Sequence, residues 1–256
     1  FLGRRPVLHA TYQGENYILF VIQGNDVRIS GVHFRGPSRR TTGNQKQVTA
    51  IRAIQDPAGT TGRRVTIAEN EFDGWPDSAV NVCGNYETLE AGVCDVGPRG
   101  PRQHTGPLTT RADAASLRIE RNYIHHNARD SAGYGVVTAG NSYTTIEGNV
   151  FDFNRHDIAS DGRAFNGYIA RFNYALQGGF RYNSSWYSKG YWGQHFDVHG
   201  SGTPESRKNG HYDGGMAGEF YEIAYNTFRG DQSYGVPVVA ERTRPAFELR
   251  GRPTMG

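Results

Sequence analysis

The sequence predicts an all-β protein, a single-domain right-handed parallel β-helix spanning residues 1–256. A degenerate phrase recurs along the chain, strand periodicity runs ahead of each copy, and the composition suits short strands and tight turns. There are 34 Gly, 15 Tyr and 13 Phe against only 2 Met, a balance that favours strands and disfavours helices.

The phrase is an apolar residue, two variable residues, Asn, one variable residue and an apolar or aromatic one. It reads Ile67-x-x-Asn70-x-Phe72, Ile119-x-x-Asn122-x-Ile124, Ile146-x-x-Asn149-x-Phe151 and Ile223-x-x-Asn226-x-Phe228. Phe180-x-x-Asn183 is a weaker copy, and Ile29-x-x-Val32-x-Phe34 has lost its Asn. Successive copies start 38, 52, 27, 34 and 43 residues apart. Apolar residues two apart precede the Asn, as in Val27/Ile29, Val65/Ile67 and Leu117/Ile119, which is strand periodicity. The Asn falls where the chain must turn, a place where Asn tolerates left-handed backbone, and Asn stacked on Asn offers an internal hydrogen-bonded ladder. Phe34, Phe72, Phe151 and Phe228 are expected to stack inside.

Further short strands are expected at 79–82, 135–138, 157–160, 195–199 and 247–250. Three strands and three turns fit the shortest, 27-residue repeat, with coils about 4.8 Å apart. The extra length of longer repeats goes into loops at about 36–46, 83–113 and 200–218. An irregular β-sandwich is the competing fold, but it does not need a repeated Asn at one offset. The chain opens without an initiator Met and stops within a pattern, so the solenoid is expected to be truncated at both ends.

The net charge of +3 comes from 28 basic and 25 acidic residues spread along the chain, with no basic block to mark a nucleic-acid partner. No apolar run approaches the roughly 18 residues of a membrane span. Cys83 and Cys94 flank ten residues, a spacing that suits a disulfide in an oxidising, secreted setting; two unrelated buried thiols are the alternative.

The Ile-x-x-Asn-x-Phe copies on a Gly-rich chain resemble the pectate-lyase-like superfamily of right-handed parallel β-helices, from about residue 17 onward. Phe151–Ala159, His195–Gly200 and Phe247–Pro253 also resemble bacterial secreted β-helix repeat proteins. The resemblance implies lyases, hydrolases or epimerases of polysaccharides, or non-catalytic tailspikes and adhesins. The Asp clusters that hold calcium in pectate lyases, and the Asp triad of polygalacturonase-like hydrolases, have no direct counterpart here.

Gln194–Gly200 carries the chemistry. Read as a strand, it turns Phe196 and Val198 inward and His195, Asp197 and His199 outward. Aligned with 247–251, it sets Asp197 over Glu248 and His199 over Arg250. The preceding coil is expected to place Ser160 beside His199, and His156 at a position equivalent to His195. Three chemistries are open. Asp197 and Glu248 suit a glycosidase carboxylate pair about 5 Å apart. A lyase would use Arg250 or Arg155 to hold a uronate carboxylate and His199 or His195 as base. His195, Asp197 and His199 could hold a metal, but their spacing of about 6.5–7 Å is poor for a single ion.

No metal ligands are assigned and no cofactor is expected, with Ca²⁺ the one ion left open by Asp157, Asp161 and Asp213 nearby in sequence. The simpler alternative is a salt-bridged face that only holds coils in register, worth about 0–1 kcal/mol per exposed pair. Tyr191 and Trp192 precede the strand and offer faces for sugar rings, and His211 and Asp213 lie on a loop able to fold back over it. The expected function is thus a secreted enzyme cleaving an extended polysaccharide, as lyase or glycoside hydrolase. The rival is a non-catalytic glycan- or protein-binding β-helix.

Overall fold

A computed structural model describes residues 5–11, 17–37, 48–55, 62–84, 116–128, 132–140, 142–163, 166–176, 194–200, 214–229 and 246–254. The strands begin β1 (Val7–His9), β2 (Tyr17–Ile22), β3 (Arg28–Ser30), β4 (His33–Arg35), β5 (Val48–Ile54), β6 (Val65–Ala68) and β7 (Glu71–Asp73). They continue β8 (Ser78–Cys83), β9 (Leu117–Glu120), β10 (Tyr123–His125), β11 (Tyr134–Thr138), β12 (Ser142–Glu147) and β13 (Val150–Asp152). The last are β14 (His156–Ser160), β15 (Asn166–Arg171), β16 (Tyr174–Ala175), β17 (Phe196–Val198), β18 (Phe220–Ala224), β19 (Thr227–Phe228) and β20 (Phe247–Leu249).

Each strand from β1 to β17 pairs in parallel with the strand three places further on. Three sheets result: sheet 1 runs β1-β4-β7-β10-β13-β16-β19, sheet 2 runs β2-β5-β8-β11-β14-β17-β20, and sheet 3 runs β3-β6-β9-β12-β15-β18. One strand from each sheet makes a coil, and this is a parallel β-helix. Among the described residues no helix is long and apolar enough to cross a membrane.

Register explains the core. Sheet 3 stacks Ile29, Ile67, Ile119, Ile146, Ala170 and Ile223 in one inward row. Sheet 1 stacks Phe34, Phe72, Ile124, Phe151, Ala175 and Phe228, with the Phe34 and Phe72 rings 4.8 Å apart and 7° from parallel. Sheet 2 contributes Ile51, Val80, Val136, Ile158, Phe196 and Phe247. Parallel pairing without slippage repeats each apolar residue above its like, so the rows fill a continuous interior.

The expected Asn ladder is present. The Oδ1 of Asn122, Asn149, Asn173 and Asn226 each accepts from the backbone N–H of the preceding Asn, Asn70 through Asn173, at 2.9–3.0 Å. Asn122 Nδ2 donates to the Ile67 carbonyl and Asn149 Nδ2 to that of Ile119, each to the coil before. Val32, where the Asn is lost, donates its N–H to Asn70 Oδ1 and starts the row.

Two expectations are corrected. The fifth rung is Ala170-x-x-Asn173-x-Ala175, 24 residues after Asn149; Phe180 and Asn183 lie outside the described residues. Small Ala residues fill the apolar places there, which hid the copy. The left-handed residue is also not the Asn but the one before it: Gly31, Glu69, Arg121, Gly148, Phe172 and Tyr225 all have φ between 54° and 77°. A second ladder, at the turn from sheet 1 to sheet 2, links the Trp75 N–H to Asn127 Oδ1 and Asn127 Nδ2 to Asn154 Oδ1, both at 2.9 Å. Most of the 36–46, 83–113 and 200–218 loop segments lie outside the described residues.

Candidate functional site

The outer face of sheet 2 builds the site. Arg52, Asn81, Val137, Ala159, Asp197 and Glu248 share one register row, and Asp197 alternates with the core residues Phe196 and Val198. The expected pairing of Asp197 with Glu248 is observed, and Arg250 follows as its N–H bonds the Val198 carbonyl.

Asp197 is the hub, and it is fully buried. Its Oδ2 lies 2.8 Å from an Arg250 terminal nitrogen, 3.1 Å from His199 Nε2 and 3.4 Å from His156 Nε2. Burial acts to raise its pKa, but the His199 hydrogen bond and the neighbouring positive charge of Arg250 outweigh it and hold the carboxyl well below the usual range. Arg250 Nε also lies 3.4 Å from Glu248 Oε2, so one guanidinium serves both carboxylates. Asp197 is therefore an anion at ordinary pH.

His156 is buried against Asp197. Its Nδ1 donates to the Gln194 carbonyl at 2.6 Å, and the Tyr134 ring stacks on it at 5.7 Å and 14°. Burial, reinforced by the Arg155 charge, pushes its pKa well below the ordinary value. The ring is neutral and Nε2 faces Asp197 as a lone pair, so the 3.4 Å approach is not a hydrogen bond. Arg155 donates to the Tyr134 hydroxyl at 3.0 Å, with its guanidinium carbon 5.5 Å from the Tyr134 ring centre. Arg155 is half-buried and has no carboxylate partner among the described residues. His199, Glu248 and Arg250 keep 28%, 36% and 18% of their side chains exposed, which leaves this end of the row reachable from solvent.

Other expected members are placed differently. Ile158, not Asp157, pairs with Phe196, which moves the preceding coil by one residue. Ser160 thus lies beside Val198 rather than His199, and its hydroxyl meets Tyr221 OH at 2.8 Å. His195 leaves the outer row: its Nδ1 sits 2.6 Å from Asp157 Oδ2, its ring is against Phe228, and Asn154 Nδ2 donates to Asp157 Oδ1. That buried pair extends the second Asn ladder and is structural. Asp161 accepts from the Gly140 and Arg163 backbone N–H groups and from Asn166 Nδ2, so it caps a turn. Among the described residues no group of three or more His, Cys, Asp or Glu is arranged to hold a metal ion. Tyr191, Trp192, His211, Asp213 and Cys94 lie outside the described residues, and Cys83 is disulfide-bonded.

Comparison of the chain with protein-family models, with curated proteins and with solved structures finds no match. Two contributors were not anticipated from sequence, Tyr134 and Gly162, and Gln194 takes part through its backbone carbonyl rather than its side chain. A Cβ on Gly162 would meet the His199 carbonyl oxygen at 1.6 Å, so this glycine lets the backbone that carries His199 approach. The spacing Ile124-x-x-Asn127 and Phe151-x-x-Asn154, the phrase already seen at the first ladder, would have revealed the second.

Sheet 1 holds another titratable cluster on its outer face. His33 Nε2 lies 2.5 Å from buried Asp73, His125 Nε2 lies 3.3 Å from Glu71, and the Nδ1 atoms of His125 and His126 are 2.7 Å apart. Burial pushes His125 down to about 4 despite the Glu71 hydrogen bond. These groups satisfy one another across coils, as register-holding residues do.

Proposed function

We propose that the sheet 2 face is a proton-transfer site that cleaves an extended acidic polysaccharide by β-elimination. The observation that carries the reading is the Asp197–His199 contact at 3.1 Å, in the same face as the half-buried Arg155, which among the described residues has no carboxylate partner. A permanent carboxylate on Nε2–H fixes the His199 tautomer and makes Nδ1 the basic nitrogen. Arg155 reaches His156 through the Tyr134 ring that stacks on it, and His156 and His199 both face Asp197 Oδ2, so the three share one neighbourhood. In the proposed step Arg155 binds the uronate carboxylate and His199 takes the proton on the adjacent carbon. That C–H electron pair becomes the new C=C bond, and the glycosidic C–O bond at the next carbon breaks toward the leaving oxygen, which acquires a proton. Neutral His156 keeps a second positive charge away from Asp197. The disulfide at Cys83 supports a secreted setting.

A second reading, a non-catalytic glycan- or protein-binding β-helix, is favoured by the complete burial of Asp197 beneath its cationic partners. Incubation with uronate-containing and neutral polysaccharides separates the two, with absorbance near 235 nm and reducing ends followed together. The lyase reading expects both to rise on an acidic polymer and neither with His199→Gln. Reducing ends alone would make it a hydrolase, and silence with retained binding would establish the second reading.

A further inference from the structure

At the turn from sheet 3 to sheet 1, the residue before each ladder Asn is left-handed, which disfavours bulky side chains. Gly31 and Gly148 meet that need, and Glu69 and Arg121 pair at 3.0 Å. The next two rungs are Phe172 and Tyr225, with φ of 54° and 56°. Their rings lie 5.2 Å apart and 8° from parallel, and they are 55% and 77% exposed. Tyr174, at 42% exposure, stands two residues further on. Neither folding strain nor burial explains large aromatics at these places.

The Gly148 rung beside Phe172 carries no side chain, and a Cβ built there would touch only Arg121 Cγ, at 3.6 Å. The missing side chain therefore leaves a gap in the row next to the stack. Its rim is charged but internally neutralised: Arg171 pairs with Glu222, Arg118 with Glu147, Arg121 with Glu120 and Glu69, and Arg28 also with Glu69. Such a rim offers hydrogen bonds to hydroxyls and no net charge to attract an ion.

We propose that Phe172 and Tyr225 form a second carbohydrate site, a stacking platform for an uncharged pyranose unit. The apolar C–H face of a sugar matches the aromatic surface, and the paired charges at the rim match its hydroxyls. The platform anchors a neutral glycan away from the sheet 2 face and does not depend on the elimination chemistry.

The test is affinity electrophoresis and pull-down of the full chain on cellulose, xylan, mannan and chitin, with sedimentation velocity alongside. The Phe172→Gly/Tyr225→Gly variant suits the left-handed backbone and is expected to fold, and Gly148→Asn fills the gap with a residue that tolerates that backbone. Retention on at least one neutral polymer is expected, weakened about tenfold or more in both variants and unchanged in His199→Gln. His199→Gln also separates failure here from failure of the lyase reading. The proposal is overturned if no neutral polymer retains the protein, or if both variants bind as wild type. It is equally overturned if wild type self-associates through these rings while the double variant stays monomeric without binding glycan.

Discussion

His199 Nε2 lies 3.1 Å from Asp197 Oδ2, and Asp197 is fully buried while the His199 side chain is 28% exposed. The pair connects a permanent interior anion to a reachable imidazole. If it works as a base and its orienting group, Asp197→Asn removes the charge while nearly preserving shape. Its turnover on the polymer identified by the absorbance assay is expected to fall about 100-fold with KM changed little. An equal rise in KM with turnover intact would instead make Asp197 a binding or structural group.

Asn122 joins three coils, accepting from Asn70 and donating to the Ile67 carbonyl and to Asn149 Oδ1. Asn122→Ala leaves several buried backbone and side-chain groups without partners. A loss of about 3 kcal/mol or more is expected in urea unfolding. An effect below about 1 kcal/mol would mean that the ladder is ornamental to stability.

Stability should fall as pH drops from about 6.5 toward 4. Burial keeps His125, at about 4, and His156, well below its usual range, neutral in the fold, whereas the unfolded chain protonates both. The unfolded state then binds more protons in that window, so acid favours it. His195 has the opposite sign: burial lowers its proton affinity, but the Asp157 charge and hydrogen bond raise it overall. Its contribution is complete below about 6.5 and is lost as pH rises through its folded value. The contribution of Asp197, held low, is present above about 3.9 and lost in stronger acid. Urea midpoints at pH 7 and 5 check this: His125→Asn should shrink the difference, and an unchanged difference would exclude His125 as a source.

Gly162 has φ +66°, and a Cβ there would stand 1.6 Å from the His199 carbonyl oxygen. Gly162→Ala is expected to cost more than about 2 kcal/mol and to displace His199. Gly31 also has positive φ, +77°, but nothing lies within 4 Å of its would-be Cβ. Gly31→Ala should therefore cost only the backbone strain, about 1–2 kcal/mol, and leave activity unchanged. Thermal unfolding of the two variants, with the 235 nm assay, makes the comparison.

The ladder and the core were legible because a solenoid repeats its environment. Each coil asks the same thing of Ile67, Ile119 and Ile146, so the request is written again at the same offset. The signal failed at Ala170–Asn173, where small residues meet the same need. The site was legible only in part. Aligning 196–200 with 247–251 found Asp197 and Glu248 side by side, since no residue is inserted between the compared strands' matching positions. Against 157–160 the true register is offset by one residue from the sequence match, because the β14 turn offers both the Asp157 and Ile158 N–H groups to the His195 carbonyl. In a strand, one residue exchanges the inner and outer faces, so Ser160 turned inward.

The sequence by itself determined the coil, since apolar spacing and a repeated Asn are local facts that survive translation along the chain. It also determined which strands carry titratable groups. The tertiary structure decided what those groups are: His195 part of a ladder with Asp157, Asp197 a fixed anion, His156 neutral, and Arg155 a cation bonded to the Tyr134 hydroxyl. Protonation and pairing depend on burial and on neighbours 21 to 53 residues away, and those distances exist only once the coils are stacked.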